Sequence, residues 1–231
     1  MLLSSKHSDV SIYLGPEKVE FRAHYAILSV HTRYFDAAKE KGFAEALENK
    51  FYFPEGHPYA FYRVLQYIYT GDYSMDSSRL DIGEGNYPNR IDLVQRGAYI
   101  VLTGFQDDDG ALLKHLRVNA IMDFFDVQGL RSLCATSFTN LLYLSWDINT
   151  FVDSVFDVYS MTTKGDDAFR KAIVNSAIKN LKELYKRDDF KSLITEHGEF
   201  SGELLTALLE ADLVLGSNFK STQCINCCNR I

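Results

Sequence analysis

The 231-residue chain is poor in cysteine and proline, with four of each, and its basic side chains (24) are outnumbered by acidic ones (31). A net charge of -7 argues against a general affinity for phosphate backbones, so no nucleic-acid partner is expected. No apolar run approaches the ~20 residues that span a bilayer, which predicts no membrane segment. The first residues, MLLSSKHSD, lack the apolar block and cleavage site of a secretory signal, so the expected location is intracellular, cytoplasmic or nuclear. Cys134 sits alone in a helical pattern and reads as a small buried apolar residue. Cys224, Cys227 and Cys228 crowd the last eight residues, unlike a secreted disulfide framework. No Gly-rich phosphate loop and no G-x-S-x-G elbow occur; Gly83-Glu84-Gly85 lacks the flanking strand and helix.

The chain does have apolar mass. Hydrophobic residues make up 46%, including 16 Phe and 14 Tyr, against 24% charged, which is the composition of a folded chain with a sizeable core. Val10, Ile12 and Leu14 alternate with Ser11 and Tyr13, Gly15 to Lys18 supply a turn, and Val19 and Phe21 resume the alternation. That predicts a β-hairpin. From Ala23 the period becomes helical, with two short helices broken between Ser29 and Thr32. Phe51 to Phe53 read as a strand ending at Pro54. Pro58 suits the first position of an amphipathic helix carrying Phe61, Val64, Leu65, Ile68 and Tyr69 and stopped at Thr70-Gly71. Residues 74 to 89, rich in Gly, Asn, Ser and Asp, read as a surface loop, and 98 to 103 as a short strand. Leu112 to Phe125 and Leu130 to Leu142 form two helices split at Asp126 to Gly129. Beyond Trp146, helical stripes run over 151–159, 169–185 and 204–213. The expected fold class is α+β: a small β-sheet with a helix cluster over residues 1–143, holding a loop insertion at 74–110, then an all-helical extension with a cysteine-containing tail over 144–231.

Three patterns invite a chemical reading. His24 sits at a strand-to-helix junction, where a catalytic base would need a nucleophile and an orienting carboxylate. Asp9 is the carboxylate within reach if the strands pair, but no activated Ser or Cys accompanies them. The expected role is structural, with the imidazole donating to a backbone carbonyl and pinning the turn. Asp107-Asp108-Asp109 lacks the spaced carboxylates and glycine bend of a cation loop, and reads as a helix cap. Cys224, Cys227 and Cys228 hold one C-x-x-C pair, half of the four-ligand set that structural zinc requires. A zinc-binding protein is therefore the remote alternative, with a frayed tail preferred. No catalytic residue and no cofactor are expected.

Ser8-Asp9-Val10, Phe21-Arg22-Ala23-His24, Ala26-Ile27-Leu28 and Tyr34-Phe35 together resemble the opening of a BTB/POZ domain. Phe61 to Gly71 is similar to that family's "F..lL.yiYtG" helix end, and Leu116 to Leu130 to its following helix pair. The segment after Phe151 resembles the helical tails of filamentous-fungal members. The resemblance implies a non-catalytic protein–protein interaction module, with Asp9, His24, Phe35, Tyr69 and Gly71 as fold-determining residues. Its implied partners are proteins: a cullin, which would make the chain a substrate adaptor of a ubiquitin ligase, or other copies and regulators in a transcriptional scaffold. Some members place a hydrophobic-x-Glu motif after the "YtG" helix, and Ile82-Gly83-Glu84 fits it in letters, making Ile82 and Glu84 the candidate partner-binding residues. Tyr25 replaces the family's usual Lys or Arg, and only seven residues precede Ser8. A homodimer is thus compatible with the sequence, one made by exchanging an N-terminal element is not expected.

Overall fold

The computed structural model describes residues 7–75, 91–93, 98–100, 109–164 and 167–215. The hairpin forms as its alternation predicts: β1 (Val10–Leu14) and β2 (Val19–Ala23) pair antiparallel with Val10 opposite Ala23 and Leu14 opposite Val19. Val10, Ile12, Leu14, Val19, Phe21 and Ala23 all point into the core. Two short helices follow, α1 (Tyr25–His31) and α2 (Arg33–Glu40), broken at Thr32. A one-turn helix, α3 (Ala44–Glu48), leads through Asn49 into β3 (Lys50–Phe53). The strand lies parallel to β1, with Ile12 opposite Phe51. The segment 74–110 is not wholly a loop: it contains β4 (Ile91–Leu93) and β5 (Ala98–Ile100), and β5 joins β2 to give a five-stranded sheet of order β3-β1-β2-β5-β4.

Helix α4 (Pro58–Thr70) has Pro58 at its start and ends at Gly71, whose φ of 78° turns its N–H back onto the Tyr67 carbonyl. Helix α5 (Ala111–Phe125) is the central helix; it packs against α2, α4, α6 (Leu130–Leu144) and α7 (Ile148–Met161). That is why its buried residues, His115, Leu116, Val118, Asn119, Met122 and Phe125, do not fall on one stripe. The remaining helices are α8 (Asp167–Lys179), α9 (Leu181–Leu184), α10 (Asp188–Glu196) and α11 (Gly198–Leu215). The stripe over 169–185 is broken at Asn180, whose side-chain amide donates to the Ser176 carbonyl. Arg170 of α8 is buried and donates to the carbonyl and hydroxyl oxygens of Thr162 and to Glu199 and Glu203 of α11. Those bonds, with Tyr159 donating to Glu203, fasten α7, α8 and α11 together. No described helix is long and apolar enough to cross a membrane.

The break between α5 and α6 is built from backbone. Asp126 and Gly129 both adopt positive φ, Val127 bridges to Thr32, and the Gln128 N–H donates to the His31 carbonyl. Tyr67 closes the corner by donating to the Gln128 carbonyl. A Cβ on Gly129 would stand 2.6 Å from Tyr67 Oη, at a backbone φ of 81°. Gly129→Ala is expected to cost about 2–4 kcal/mol, the sum of left-handed strain of about 1–2 kcal/mol and the clash. Adding Tyr67→Phe removes the clashing oxygen and should return about half of the loss; chemical denaturation of the two variants measures both.

His24 behaves differently from the sequence expectation. Among the described residues its side chain donates to no backbone carbonyl. The Tyr69 hydroxyl accepts the His24 backbone N–H and lies 3.0 Å from Nδ1. Asp9 does not reach the imidazole either: its Oδ1 accepts the Tyr25 N–H at 2.7 Å, satisfying a free donor at the start of α1. His24→Ala and Tyr69→Phe should each destabilise by about 1–3 kcal/mol, and the double variant by clearly less than the sum, because one hydrogen-bonded pair is lost in all three. Additive losses in denaturant unfolding would separate the two residues.

Candidate functional site

An apolar cleft opens in the N-terminal half. One wall is β3 with the Pro54-Glu55-Gly56 turn; the other is Ala120, Ile121 and Phe124 of α5; Leu14 and Phe125 form the floor. Its volume is about 380 Å³. Gly56 shapes the turn, because a Cβ there would lie 2.8 Å from the Leu14 side chain and 3.1 Å from the Phe53 carbonyl oxygen. Beneath the cleft, Phe125 meets Phe35, Phe53 and Phe61 at ring-centroid distances of 5.5, 4.9 and 5.2 Å. Phe124, its neighbour, points the other way. It stays 57% exposed while touching Tyr34 and Phe53. Tyr52 is 51% exposed on the strand beside it. On α3 and the residue before it, Leu47 and Phe43 are exposed as well.

Large apolar side chains left in water at the lip of a packed aromatic cluster cost solvation free energy in the free protein. The same arrangement offers a partner a rigid surface with little side-chain entropy to lose. Burial holds the Tyr34 hydroxyl above its ordinary pKa, with Glu45 adding to the shift, so it stays neutral. Glu55 is the charged residue of the lining.

The reactive residue types lie elsewhere. In a buried cluster behind α4, the Tyr73 hydroxyl is 2.8 Å from His115 Nδ1 and donates to Cys134 Sγ at 3.2 Å. Burial, reinforced by Arg63, pushes His115 down to about 4. Burial pushes the Cys134 thiol up to about 12, against the lowering effect of Tyr73, and raises the Tyr73 hydroxyl too. Burial leaves the imidazole, the thiol and the phenol without the solvent access that reactive cysteines have. The cluster fixes the segment leaving α4: Arg63 donates to the Ser74 carbonyl, and Gln66 accepts the Ser74 N–H.

The sequence-derived candidates fall as follows. Phe35 is in the core, edge-on to Phe51 at 4.9 Å and stacked on Phe125. His24 and Tyr69 are brought together, Asp9 caps α1, and Gly71 ends α4. Asp109 does not cap α5, whose N-cap is Gly110 without a side-chain bond; it forms an ion pair with Arg117 instead and lies 3.5 Å from His57 Nε2. The reason is geometric: Asp109 is one residue too early, and its carboxylate finds a guanidinium two turns into the helix. Asp107, Asp108, Ile82, Glu84, Cys224, Cys227 and Cys228 lie outside the described residues. Among the described residues no three His, Cys, Asp or Glu side chains form a metal-sized group. Sequence periodicity gave one helix from Leu112 to Phe125 and did not separate Phe124 from Phe125, so it missed the cleft. Adjacent helical residues diverge by 100°, and that was the available signal.

Comparison with known proteins bears on the same region. Residues 1–83 match the family described as BTB/POZ domain. The BTB/POZ domain-containing protein At2g30600 of Arabidopsis thaliana is 27% identical over 75 residues, which are 32% of this chain and 9% of that protein. The matched residues contain the hairpin, α1 to α4 and the β3 wall of the cleft; the α5–α6 pair lies beyond them. BTB/POZ domains are protein–protein interaction modules, generally without enzymatic activity. Residues 1–83, which hold the hairpin and α1 to α4, are a BTB/POZ domain, and an all-helical region follows from α5 on.

Proposed function

We propose that this chain is a non-catalytic docking module and that the cleft between β3 and α5 receives its partner, a cullin-type scaffold, so that the chain acts as a substrate adaptor. The observation that carries the reading is the pairing of a rigid apolar cleft with half-exposed aromatics at its lip, Phe124 and Tyr52. Such anchors dominate interface energetics because they bury large areas at small entropic cost. The unit that docks is taken to extend to residue 143, since α5 supplies one wall of the cleft and packs on α4. The helical region after it would then hold a client. Ile82 and Glu84 form a second candidate contact on the same partner.

Pull-down with a cullin N-terminal domain tests the adaptor reading. Phe124→Glu should weaken capture by at least ~30-fold, the size of a hot-spot loss of about 2 kcal/mol, with the fold intact because the ring is largely in water. Loss on changing Ile82 and Glu84 to Ala, with Phe124→Glu silent, would move the contact to that segment. No capture by the unaltered chain would reject the adaptor role. The non-catalytic part is tested through Cys134. In a variant with Cys224, Cys227 and Cys228 changed to Ser, the remaining thiol should resist a thiol reagent at pH 8 in the native protein and react fully in denaturant. Rapid native labelling would show an accessible thiolate and contradict the assignment.

A further inference from the structure

Helix α11 leaves part of an apolar stripe uncovered. Of its leucines between 204 and 209, Leu204 is buried, Leu208 is half-buried, Leu209 is exposed and Leu205 is 58% exposed. Leu204, Leu205 and Leu208 form one wall of a groove of about 690 Å³. Leu181 and Tyr185, at either end of α9, form the other, and Ile194 of α10 completes the apolar lining. None of these residues belongs to the cleft between β3 and α5. The walls offer a ligand few backbone hydrogen bonds. Residues 201–208 lie inside α11, where each N–H is spent on the preceding turn. At α9 the Tyr185, Lys186 and Arg187 N–H groups donate to the Leu181, Glu183 and Leu184 carbonyls. The Ser201 hydroxyl in the lining is turned onto the Ile194 and His197 carbonyls, at 2.6 and 3.0 Å.

An extended segment laid in such a groove would lose water from its own peptide groups without replacing the bonds. A helix bonds its own backbone and presents side chains alone, so a helix is the element that fits. The charge of that helix follows from the rim. Lys182 lines the groove, is exposed and forms no ion pair among the described residues. From Lys179 to Lys191, five basic residues stand against three acidic ones, in a chain whose net charge is -7. The Lys191 ammonium lies 6.0 Å from the Tyr185 ring centroid, which places a second cation beside the same wall. We propose that this groove docks an amphipathic helix of a client protein. Its leucine-sized side chains, spaced i, i+3 or i+4, and i+7, enter the apolar lining, and Asp or Glu along one flank meet Lys182. The proposal rests on the reading that the helices after α6 hold a client, and it supplies that client's chemistry. It involves neither a second copy of this chain nor the β3–α5 cleft.

Fluorescence anisotropy with a labelled synthetic helix tests it on the full chain. No cullin is present, so failure here and failure of cullin capture are separate results. The probe is an Ala/Gln helix of about 16 residues, long enough to form in water, with Leu at i, i+3, i+4 and i+7 and Glu along one flank. A twin carries Lys in place of Glu, and a third peptide keeps the probe's composition with its leucines scattered around the helix. Saturable binding of the acidic probe is expected below roughly 100 µM. The Lys twin should bind about fivefold more weakly, the upper range for an exposed charge pair, and the scattered peptide at least about tenfold more weakly. Lys182→Glu should reverse the order of the acidic probe and the Lys twin. Leu205→Glu should weaken both by about tenfold or more; its side chain is already largely in water, so an unchanged melting curve would show that the fold is intact. Leu144→Glu, at an exposed leucine ending α6, should change nothing. Absence of saturable binding overturns the proposal, as does equal binding of the scattered peptide, indifference to Leu205→Glu, or a charge preference unmoved by Lys182→Glu. A monomer–dimer equilibrium abolished by Leu205→Glu would give the groove to a second copy. Probe binding that appears only with Phe219→Asp would give it to residues 216–231. Either result also overturns the client reading of this groove.

Discussion

The structure depends on how one pair of adjacent aromatic residues is divided between core and surface. Phe125 is buried to 1% and touches rings from α2, β3 and α4, so it welds the sheet to three helices. Phe124, one residue earlier and so 100° around the helix, cannot follow it inward. The chain leaves that ring at the surface and supports it from beneath with Tyr34 and Phe53. The exposed aromatic is thus fixed by the same cluster that stabilises the fold. Disturbing α5 enough to hide Phe124 would withdraw Phe125, and removing a fully packed phenylalanine costs about 3–5 kcal/mol. The apolar lip persists because hiding it would cost more than exposing it.

A second theme is the use of buried polar groups as fasteners. Tyr69 joins α4 to the start of α1 through His24, Tyr73 joins the exit of α4 to α5 and α6, and Arg170 joins α8 to α11. Each hydroxyl or guanidinium is satisfied by partners distant in sequence, which is the condition under which burying it is tolerable. These contacts specify which elements meet, where apolar packing alone would accept several arrangements. Their pKa directions agree with that role. Burial keeps Tyr73, Cys134 and His115 uncharged near neutral pH. The residue types that would otherwise suggest chemistry, His, Cys and Tyr, are here held in the protonation states that suit hydrogen bonding inside a core.

Local signals made much of this legible beforehand. The hairpin was readable because Val10 to Phe21 alternate strictly around Gly15, and α4 because Pro58 and Gly71 mark its ends. The α5–α6 break was readable from Gly129. What could not be read was non-local. The parallel placement of β3 on β1 joins residues about 40 positions apart, and nothing in Phe51 to Phe53 names its neighbour. His24 could be assigned a structural role but not its partner, since Tyr69 lies 45 residues away. Helix α3 is one turn long, too short for periodicity to register. The cleft was invisible for the same reason: its walls come from β3 and α5, and only packing reveals that Phe124 is left over.

The helical region after α6 is joined to the core through α5 and α6 themselves, against which α7 and α8 pack. Phe138 of α6 meets Phe169 of α8 at 5.1 Å, and both are buried. A second run of rings passes through Phe151, Phe190 and Phe200. Helix α5 therefore has three tasks at different points of its circumference: a cleft wall at Ile121 and Phe124, a core wedge at Phe125, and a seat for α7. A helix surrounded on nearly all sides cannot rotate without breaking several packed interfaces at once. A load on the cleft is consequently carried into the following helices by one stiff element instead of a flexible linker.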